Sequence, residues 1–268
     1  MMAQNTDKYW QLIGCDNPYW GVITHDKFDK DRLTLGAIEE FYKLGEEQVG
    51  LLFQKIHKYV DDLFAPESAL DFGCGVGRVL LPLARRSRTV VGVDVSDGML
   101  QRARERLESQ KLSNFTLVKG DDQLSGVTGS FDLIHSFIVF QHITPERGYV
   151  ITDQLLKLLK ADGVGVLHFV YFKEVISNHP KLRAFAERLG VHKHVSAFRA
   201  KFQPQASSNK NANPGGLEMQ MNPYNLNVIF QKLQSVGVRR MHVEYTDHGG
   251  FFGVVLFFKK AASDAYSM

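Results

Sequence analysis

The stretch Asp71-Phe72-Gly73-Cys74-Gly75-Val76-Gly77 decides the fold. Ala69-Leu70-Asp71-Phe72 is an apolar run of strand length, and a helical pattern begins near Arg78, so the glycines sit on a strand-to-helix turn. Glycine takes the left-handed backbone conformations such a turn needs and lets a ligand approach the main chain closely. The next apolar run, Thr89 to Val95, ends on Asp94, where a carboxylate can accept both hydrogen bonds of a ribose diol. An adenosine-containing ligand follows from the two features together.

Working outward, the same alternation continues. Ser96 reads as the N-cap of a helix with Met99, Leu100, Ala103 and Leu107 on its apolar face, and Phe115 to Val118 as a third strand. Phe131 to Phe137 is the fourth strand. Thr144-Pro145-Glu146 then opens a helix with Ile151, Leu155 and Leu158 inward, and Val164 to Tyr171 is the fifth strand. Strands alternating with helices predict a doubly wound α/β fold, a mostly parallel sheet covered on both faces. Near the C-terminus, Asn222-Pro223 is expected to cap a helix bearing Leu226, Ile229, Phe230 and Leu233. Strands at Val238 to Tyr245 and Phe251 to Lys259 follow, joined by Asp247-His248-Gly249-Gly250, a hairpin that adds an antiparallel strand.

Two regions depart from the alternation. Before the first strand, Val49, Leu52, Ile56, Tyr59 and Leu63 form a helical stripe ending before Pro66, so residues 1–66 read as an N-terminal helical arm or lid on a core of 67–268. Residues 172–221 read as an acceptor-side insert, with a helix around Lys181 to Leu189 and a polar loop from Gln203 to Gly216.

The glycine spacing separates two classes of adenosine ligand. The nicotinamide fingerprint is G-x-G-x-x-G with a pyrophosphate at the helix N-terminus, whereas here the spacing is G-x-G-x-G followed by Arg78. Asp71 would repel a pyrophosphate and suits a ligand carrying an ammonium group.

With these residues in place the sequence resembles the class I S-adenosylmethionine-dependent methyltransferases, from about Ala69 to Phe169 and again in the terminal hairpin. The resemblance implies a Rossmann-like, seven-stranded sheet and S-adenosylmethionine as cofactor, leaving as S-adenosylhomocysteine. It implies that Asp71, Gly73, Gly75 and Gly77 cradle the methionine part, that Asp94 holds the ribose, with Val95 beside it, and that Met99 walls the adenine. Gly120-Asp121-Asp122 resembles the segment that reads the adenine edge. The end of the fourth strand, Ser136 and Phe137, is expected beneath the sulfonium. Such enzymes often carry a histidine facing the acceptor in the segment after that strand, here Phe140-Gln141-His142-Ile143, so His142 is the candidate base or acceptor-binding group; the alternative is a loop histidine bonded to backbone. His135, inside an apolar strand, reads as a satisfied core histidine, His168 in the fifth strand and His248 in the hairpin turn are weaker candidates for the role given to His142, and Asp132 reads as a residue that orders the loop before its strand. The arm offers two aromatic pairs, Tyr9-Trp10 and Tyr19-Trp20, whose rings could close over an acceptor or a sulfonium, and of these Tyr19 and Trp20 are the substrate-side candidates. The Asn/Asp-Pro-Pro-Tyr/Phe motif of many amine and amide methyltransferases is replaced by Ser136-Phe137-Ile138-Val139, which disfavours adenine N6 and glutamine amides as acceptors.

Composition narrows the chemistry further. The 268 residues are 44% hydrophobic and 23% charged, which excludes a mostly disordered chain. Cys15 and Cys74 alone cannot build a disulfide framework, a four-thiolate zinc site or the cluster of a radical methylase, so polar displacement is expected, with no metal. No secretion signal or stretch of about 18 apolar residues is present, and a cytoplasmic protein without membrane association is expected. The net charge of +3 conceals a basic segment, 179–210, holding Lys181, Arg183, Arg188, Lys193, Arg199, Lys201 and Lys210 against Glu187. The expectation is a methyltransferase acting on oxygen or nitrogen of a small-molecule acceptor. RNA or protein acceptors, and a non-catalytic S-adenosylmethionine-binding protein, are the rival readings; a nicotinamide oxidoreductase is a third. The oligomeric state is not legible.

Overall fold

The computed structural model describes residues 6–174 and 219–261. The helix and loop expected between Lys181 and Gly216, and the basic segment 179–210, lie outside the described residues.

The arm contains α1 (Thr6–Asp16), α2 (Pro18–Val22), a short 3-10 turn at Asp26–Phe28 and α3 (Leu35–Tyr59). Thr34 caps α3, its hydroxyl accepting from the Ala37 N–H at 3.1 Å. The apolar stripe of α3 stops sooner than its spacing suggests. Val49, Leu52 and Ile56 are buried, whereas Tyr59 and Leu63 are 46% and 86% exposed. The cause is local: the N–H groups of Val60 and Asp61 both turn back to the Ile56 carbonyl, which ends the helix before Leu63 can join its face.

The core alternates as expected: β1 (Ser68–Phe72), α4 (Leu80–Ala84), β2 (Thr89–Asp94), α5 (Asp97–Ser109), β3 (Phe115–Lys119), β4 (Phe131–Ser136), α6 (Pro145–Leu158) and β5 (Leu159–Lys173). After the undescribed segment come α7 (Leu226–Ser235), β6 (Met241–Asp247) and β7 (Phe251–Lys259). The seven strands run in the order β3-β2-β1-β4-β5-β7-β6, and β7 is antiparallel to both its neighbours. This is the Rossmann-like methyltransferase fold.

Neighbouring residues on each strand serve opposite faces. Ala69, Leu133, Val166 and Val255 pack with α3 and α4, while Leu70, Ile134, Leu167 and Leu256 pack with α6 and α7. Burying each large aliphatic side chain contributes about 1.5–3 kcal/mol, so two covered faces hold the central strands strongly. The hairpin turn forms where expected: Gly249 and Gly250 have positive φ, and Asp247 Oδ1 accepts from the Gly250 N–H at 2.8 Å.

Three boundaries differ from the sequence reading. Strand β5 starts at Leu159, because Leu159 pairs with Phe131 before a register shift carries the ladder to Val164. The last helix is capped by Asn225, whose side chain accepts from Asn227 N–H. Asn222 instead donates its backbone N–H to the Gln141 carbonyl at 2.7 Å, tying the chain before α7 to the segment after β4. Strand β6 begins at Met241, three residues later than the apolar pattern suggests, since Val238 N–H is held by the Leu233 carbonyl at the end of α7.

Candidate active site

A cleft opens at the C-terminal ends of β1, β2 and β4, where the strand order reverses around β1. Its floor is the glycine turn. Gly73 and Gly75 have φ of +75° and +53° and both line the cleft. The N–H groups of Gly73 and Cys74 donate to the Val93 carbonyl at 2.8 and 3.0 Å, so the turn folds back on the end of β2 and fixes its distance from Asp94. Gly77 serves a different purpose. It is not part of the cleft wall, and a side chain there would press on Ala103 of α5 at 3.2 Å. Its role is to let the turn pack against that helix. Cys74 is buried, which pushes its thiol pKa up and leaves a space-filling group.

Asp94 lines the cleft at the end of β2. Its Oδ2 accepts from Gly75 N–H and its Oδ1 from Ser96 N–H, both at 2.9 Å. Burial raises its pKa to about 6 in spite of these bonds. The remaining lone pairs on both oxygens are available to a diol. Val95 and Met99 line the same region, Met99 being held there by the Ser96 cap of α5.

Asp121 and Asp122 also line the cleft, but their carboxylates are already engaged. Asp121 Oδ1 accepts from the N–H groups of Ser125 and Gln123, which lowers its pKa and shapes the loop after β3. Asp122 meets Arg147 of α6 through both carboxylate oxygens, and the same guanidinium holds Asp7 of α1 at 3.0 and 2.9 Å. The charge pairing raises the Arg147 pKa. This two-sided clamp carries α1 across the rim.

Asp71, His135 and Arg78 also line the cleft. Asp71 is buried, and its Oδ1 lies 2.7 Å from His135 Nδ1. His135 is thus a satisfied strand histidine that also faces the ligand space. Of the two residues expected beneath the sulfonium, Phe137 lines the cleft, whereas Ser136 points away, 1% exposed and with its Oγ unpartnered.

His142 lines the same cleft, on a 3-10 turn at Phe140–His142. Its Nδ1 is 2.9 Å from the Gln220 carbonyl, so Nδ1 carries the proton and Nε2 keeps the lone pair, 3.3 Å from the Gln141 amide nitrogen. Burial lowers its pKa to about 4, only partly offset by the bond to Gln220. The imidazole is backbone-anchored and neutral at ordinary pH. Asp132 binds Ser68 and Lys160, as an organiser of strand starts.

The structure moves the aromatic wall within the arm. Tyr19 packs edge-on against Phe41 at 5.2 Å, and Trp20 is 7% exposed within the arm's core, so neither lines the cleft. Tyr19 faces α3, and α2 is pinned by Asn17, whose side chain bonds Asp29 and the Lys30 N–H. Trp10 of α1 takes their place, with its ring 4.9 Å from His142. Thr6 helps to set α1 there by donating to the His142 carbonyl at 2.7 Å. Sequence spacing alone did not single out Trp10, Arg78 or Arg147. Tyr9-Trp10 was visible as an aromatic pair, and only the packing shows that Tyr9 goes into the core and Trp10 into the cleft. Among the described residues no cluster of His, Cys, Asp or Glu could hold a metal ion, and no helix is long and apolar enough to cross a membrane.

Comparison with known proteins bears on the family and the fold. Residues 69–163 match the methyltransferase domain family. Thiocyanate methyltransferase 1 of Brassica oleracea is 38% identical over 96 residues, covering 35% of this chain and 42% of that protein. A 23S rRNA (uracil(1939)-C(5))-methyltransferase of Stenotrophomonas maltophilia is 42% identical over 73 residues, 26% of this chain and 16% of that protein. The chain spans less than half the length of these curated relatives. The crystal structure of magnesium protoporphyrin IX methyltransferase from Synechocystis PCC 6803 with bound S-adenosylhomocysteine has the same fold, with a TM-score of 0.59 at 17% identity over 95% of this chain and 98% of that one. Residues 69–163 of the chain thus carry a methyltransferase domain, on the fold that the magnesium protoporphyrin IX methyltransferase shares.

Proposed function

We propose that this protein transfers a methyl group from S-adenosylmethionine to an oxygen or nitrogen of a small-molecule acceptor, with His142 as the group that receives the acceptor's proton. The observation that carries the reading is the position of His142, a neutral imidazole with its Nδ1–H anchored on Gln220, in the wall of the same cleft that holds Gly73, Gly75 and Asp94.

The residues fit the cofactor. The left-handed Gly73 and Gly75 leave a floor without side chains, Asp94 offers lone pairs beside it, its Oδ2 2.9 Å from the Gly75 nitrogen, and Asp71 offers a second carboxylate. When bound, the cofactor supplies an activated methyl group on a sulfonium, so the protein is left with orientation, exclusion of water and removal of one proton. Trp10, Phe137 and Val139 line the cleft near His142 and exclude water from it. A base with a pKa of about 4 takes a proton late, once the attacking oxygen or nitrogen has begun to bond carbon and its proton has become strongly acidic. His142 Nε2, once released by the Gln141 amide, would take up the acceptor's N–H or O–H proton.

A second reading is supported by the rRNA methyltransferase likeness, confined to 26% of the chain, together with the basic segment 179–210. One experiment compares the two: a methyl-release assay with labelled S-adenosylmethionine over metabolite pools and over total RNA. The proposal expects release with a metabolite pool and none with RNA; release with RNA alone overturns it.

A further inference from the structure

His142 is fixed in place by its neighbours. Its Nδ1–H donates to the Gln220 carbonyl at 2.9 Å, its backbone N–H donates to the Val139 carbonyl at 2.9 Å, and its own carbonyl accepts from Thr6 at 2.7 Å. The lone pair is thereby left on Nε2, and the group that meets it is the carboxamide of the preceding residue. Gln141 is 4% exposed, does not itself line the cleft, and has its amide nitrogen 3.3 Å from His142 Nε2. A ring nitrogen without a proton can only accept, so the NH2 end of the amide is the end that faces it. That nitrogen also donates to Met221 Sδ at 3.5 Å, a weak acceptor.

This arrangement leaves Gln141 Oε1 buried with no hydrogen-bond partner among the described residues. A buried carbonyl oxygen without a donor is unfavourable, and native structures leave few of them. A donor arises within its reach when Nε2 takes up a proton. The NH2 end then becomes the wrong partner, since two donors would face each other. A carboxamide holds a donor and an acceptor on one planar group, so a half-turn about its last bond exchanges them. The pivot is secured, because the Gln141 carbonyl accepts from both the backbone and side-chain nitrogens of Asn222 at 2.7 and 3.2 Å.

We propose that Gln141 is a positioning residue for the base, capping His142 Nε2 with its NH2 group in the resting cleft and turning over to accept the Nε2 proton on its Oε1 once that proton has arrived. The inference rests on His142 as proton acceptor and deepens that reading by naming the group that holds the charged imidazole. The acceptor's N–H or O–H displaces the amide, its proton passes to Nε2, and the electron pair of the broken bond stays on the attacking oxygen or nitrogen. The imidazolium N–H then donates to Oε1, a charge-assisted bond stronger than the neutral one it replaces. After the product leaves, the proton goes to water and the NH2 end returns. The ionisable side chains on the neighbouring elements are otherwise engaged: Asp7 of α1 pairs with Arg147 of α6, and His168 of β5 bonds Thr246, while residues 219–222 carry no charged side chain.

Two variants test the inference. Gln141→Met removes both ends of the amide. A residue that only capped Nε2 would give equal or faster turnover when removed, whereas the proposal expects kcat in the methyl-release assay to fall by roughly 10- to 100-fold, the range of a hydrogen bond to a charged group. Gln141→Glu keeps an acceptor and loses the donor, so it is expected to retain more activity than Gln141→Met. Its carboxylate should also move the His142 midpoint from about 4 to above 6.5, read from the imidazole signals of the ligand-free protein by NMR. Its kcat should then rise with pH through that midpoint, where the wild-type profile is flat. Wild-type turnover in Gln141→Met overturns the inference. Equal loss of turnover in the two variants with the His142 midpoint unmoved in Gln141→Glu overturns it too, because that is the signature of packing alone. Unchanged turnover in His142→Ala overturns the role of His142 itself, and so separates failure of that reading from failure of this one.

Discussion

Asp71 and His135 are register partners on the adjacent parallel strands β1 and β4, and their side chains meet at 2.7 Å with both groups buried. One strand supplies the carboxylate at the head of the glycine turn, and the next supplies the donor that orients it. His135→Ala leaves that carboxylate buried without its partner. The expected cost is about 1–3 kcal/mol in urea unfolding, with weaker S-adenosylhomocysteine binding. His135→Asn, which restores a donor, should recover part of both. Unchanged stability in the alanine variant would show that the pair does not hold the cleft together.

At Gly75 the backbone has φ of +53°, and an added Cβ would lie 2.9 Å from Val22. Gly75→Val is expected to abolish S-adenosylhomocysteine binding by calorimetry, since a branched side chain would stand on the floor of the cleft. Gly129 supplies the control, with φ of +88° and nothing within 4 Å of an added Cβ. Gly129→Val carries comparable backbone strain outside the cleft, so it should lower the melting temperature and leave binding intact.

Replacement of His142 by Ala is expected to lower kcat by roughly 10²- to 10⁴-fold, the range for a lost proton acceptor, while S-adenosylhomocysteine affinity changes little. The pH profile adds a second check. Because burial holds the His142 pKa at about 4, kcat should show no break near 6.5, the ordinary histidine value. Asp94, raised to about 6, governs binding instead: affinity for S-adenosylhomocysteine should rise as pH increases through that value, when the carboxylate becomes a full acceptor for the ribose. A kcat break at 6.5 that disappears in His142→Ala would contradict the buried, neutral imidazole.

His168 gives a pH effect on stability separate from catalysis. It is fully buried on β5, its Nε2 is 2.9 Å from Thr246 Oγ1, and burial lowers its pKa to about 3. Between pH 6.5 and 3 the unfolded chain binds a proton there that the folded chain does not. The stability contributed by a neutral His168 is therefore complete above pH 6.5 and lost progressively as pH falls toward 3, by a few kcal/mol in all. The difference in unfolding free energy between wild type and His168→Leu should follow that curve. A difference independent of pH would rule it out.

The clamp between α1 and the rim depends on Arg147. Arg147→Gln removes the pairs to Asp7 and Asp122, each partly exposed and so contributing about 1 kcal/mol or less. Hydrogen exchange in α1 is expected to accelerate, with weaker S-adenosylhomocysteine binding, because Trp10 and Thr6 reach the cleft from that helix. Strands β1 and β4 should keep their protection. Uniform acceleration would indicate global destabilisation instead.

The glycine turn, the acid ending β2, the Ser96 cap and the terminal hairpin were all legible in sequence, since each is a local pattern whose physics acts within a few residues. Alternating strands and helices fixed the doubly wound sheet for the same reason: crossover handedness and two-faced burial leave few arrangements open. Where a hydrogen bond overrides periodicity, a local one at the end of α3 and a distant one before α7, the reading failed. The stripe of α3 extended on paper to Leu63, and the helix stops at Tyr59. Asn222-Pro223 had the letters of a helix start, but the bond to Gln141 claims it and Asn225 caps α7.

The sequence by itself determined the fold and the place of the cleft, because strand ends and glycine turns position themselves. Only the tertiary structure decided which side chains share that cleft. Trp10 rather than Tyr19 or Trp20 faces His142, Gly77 and Ser136 turn to packing, and Asp122 is bound by an arginine on α6. Those outcomes depend on how α1 docks and on pairings that span more than a hundred residues, such as Arg147 with Asp7, and no local periodicity encodes them.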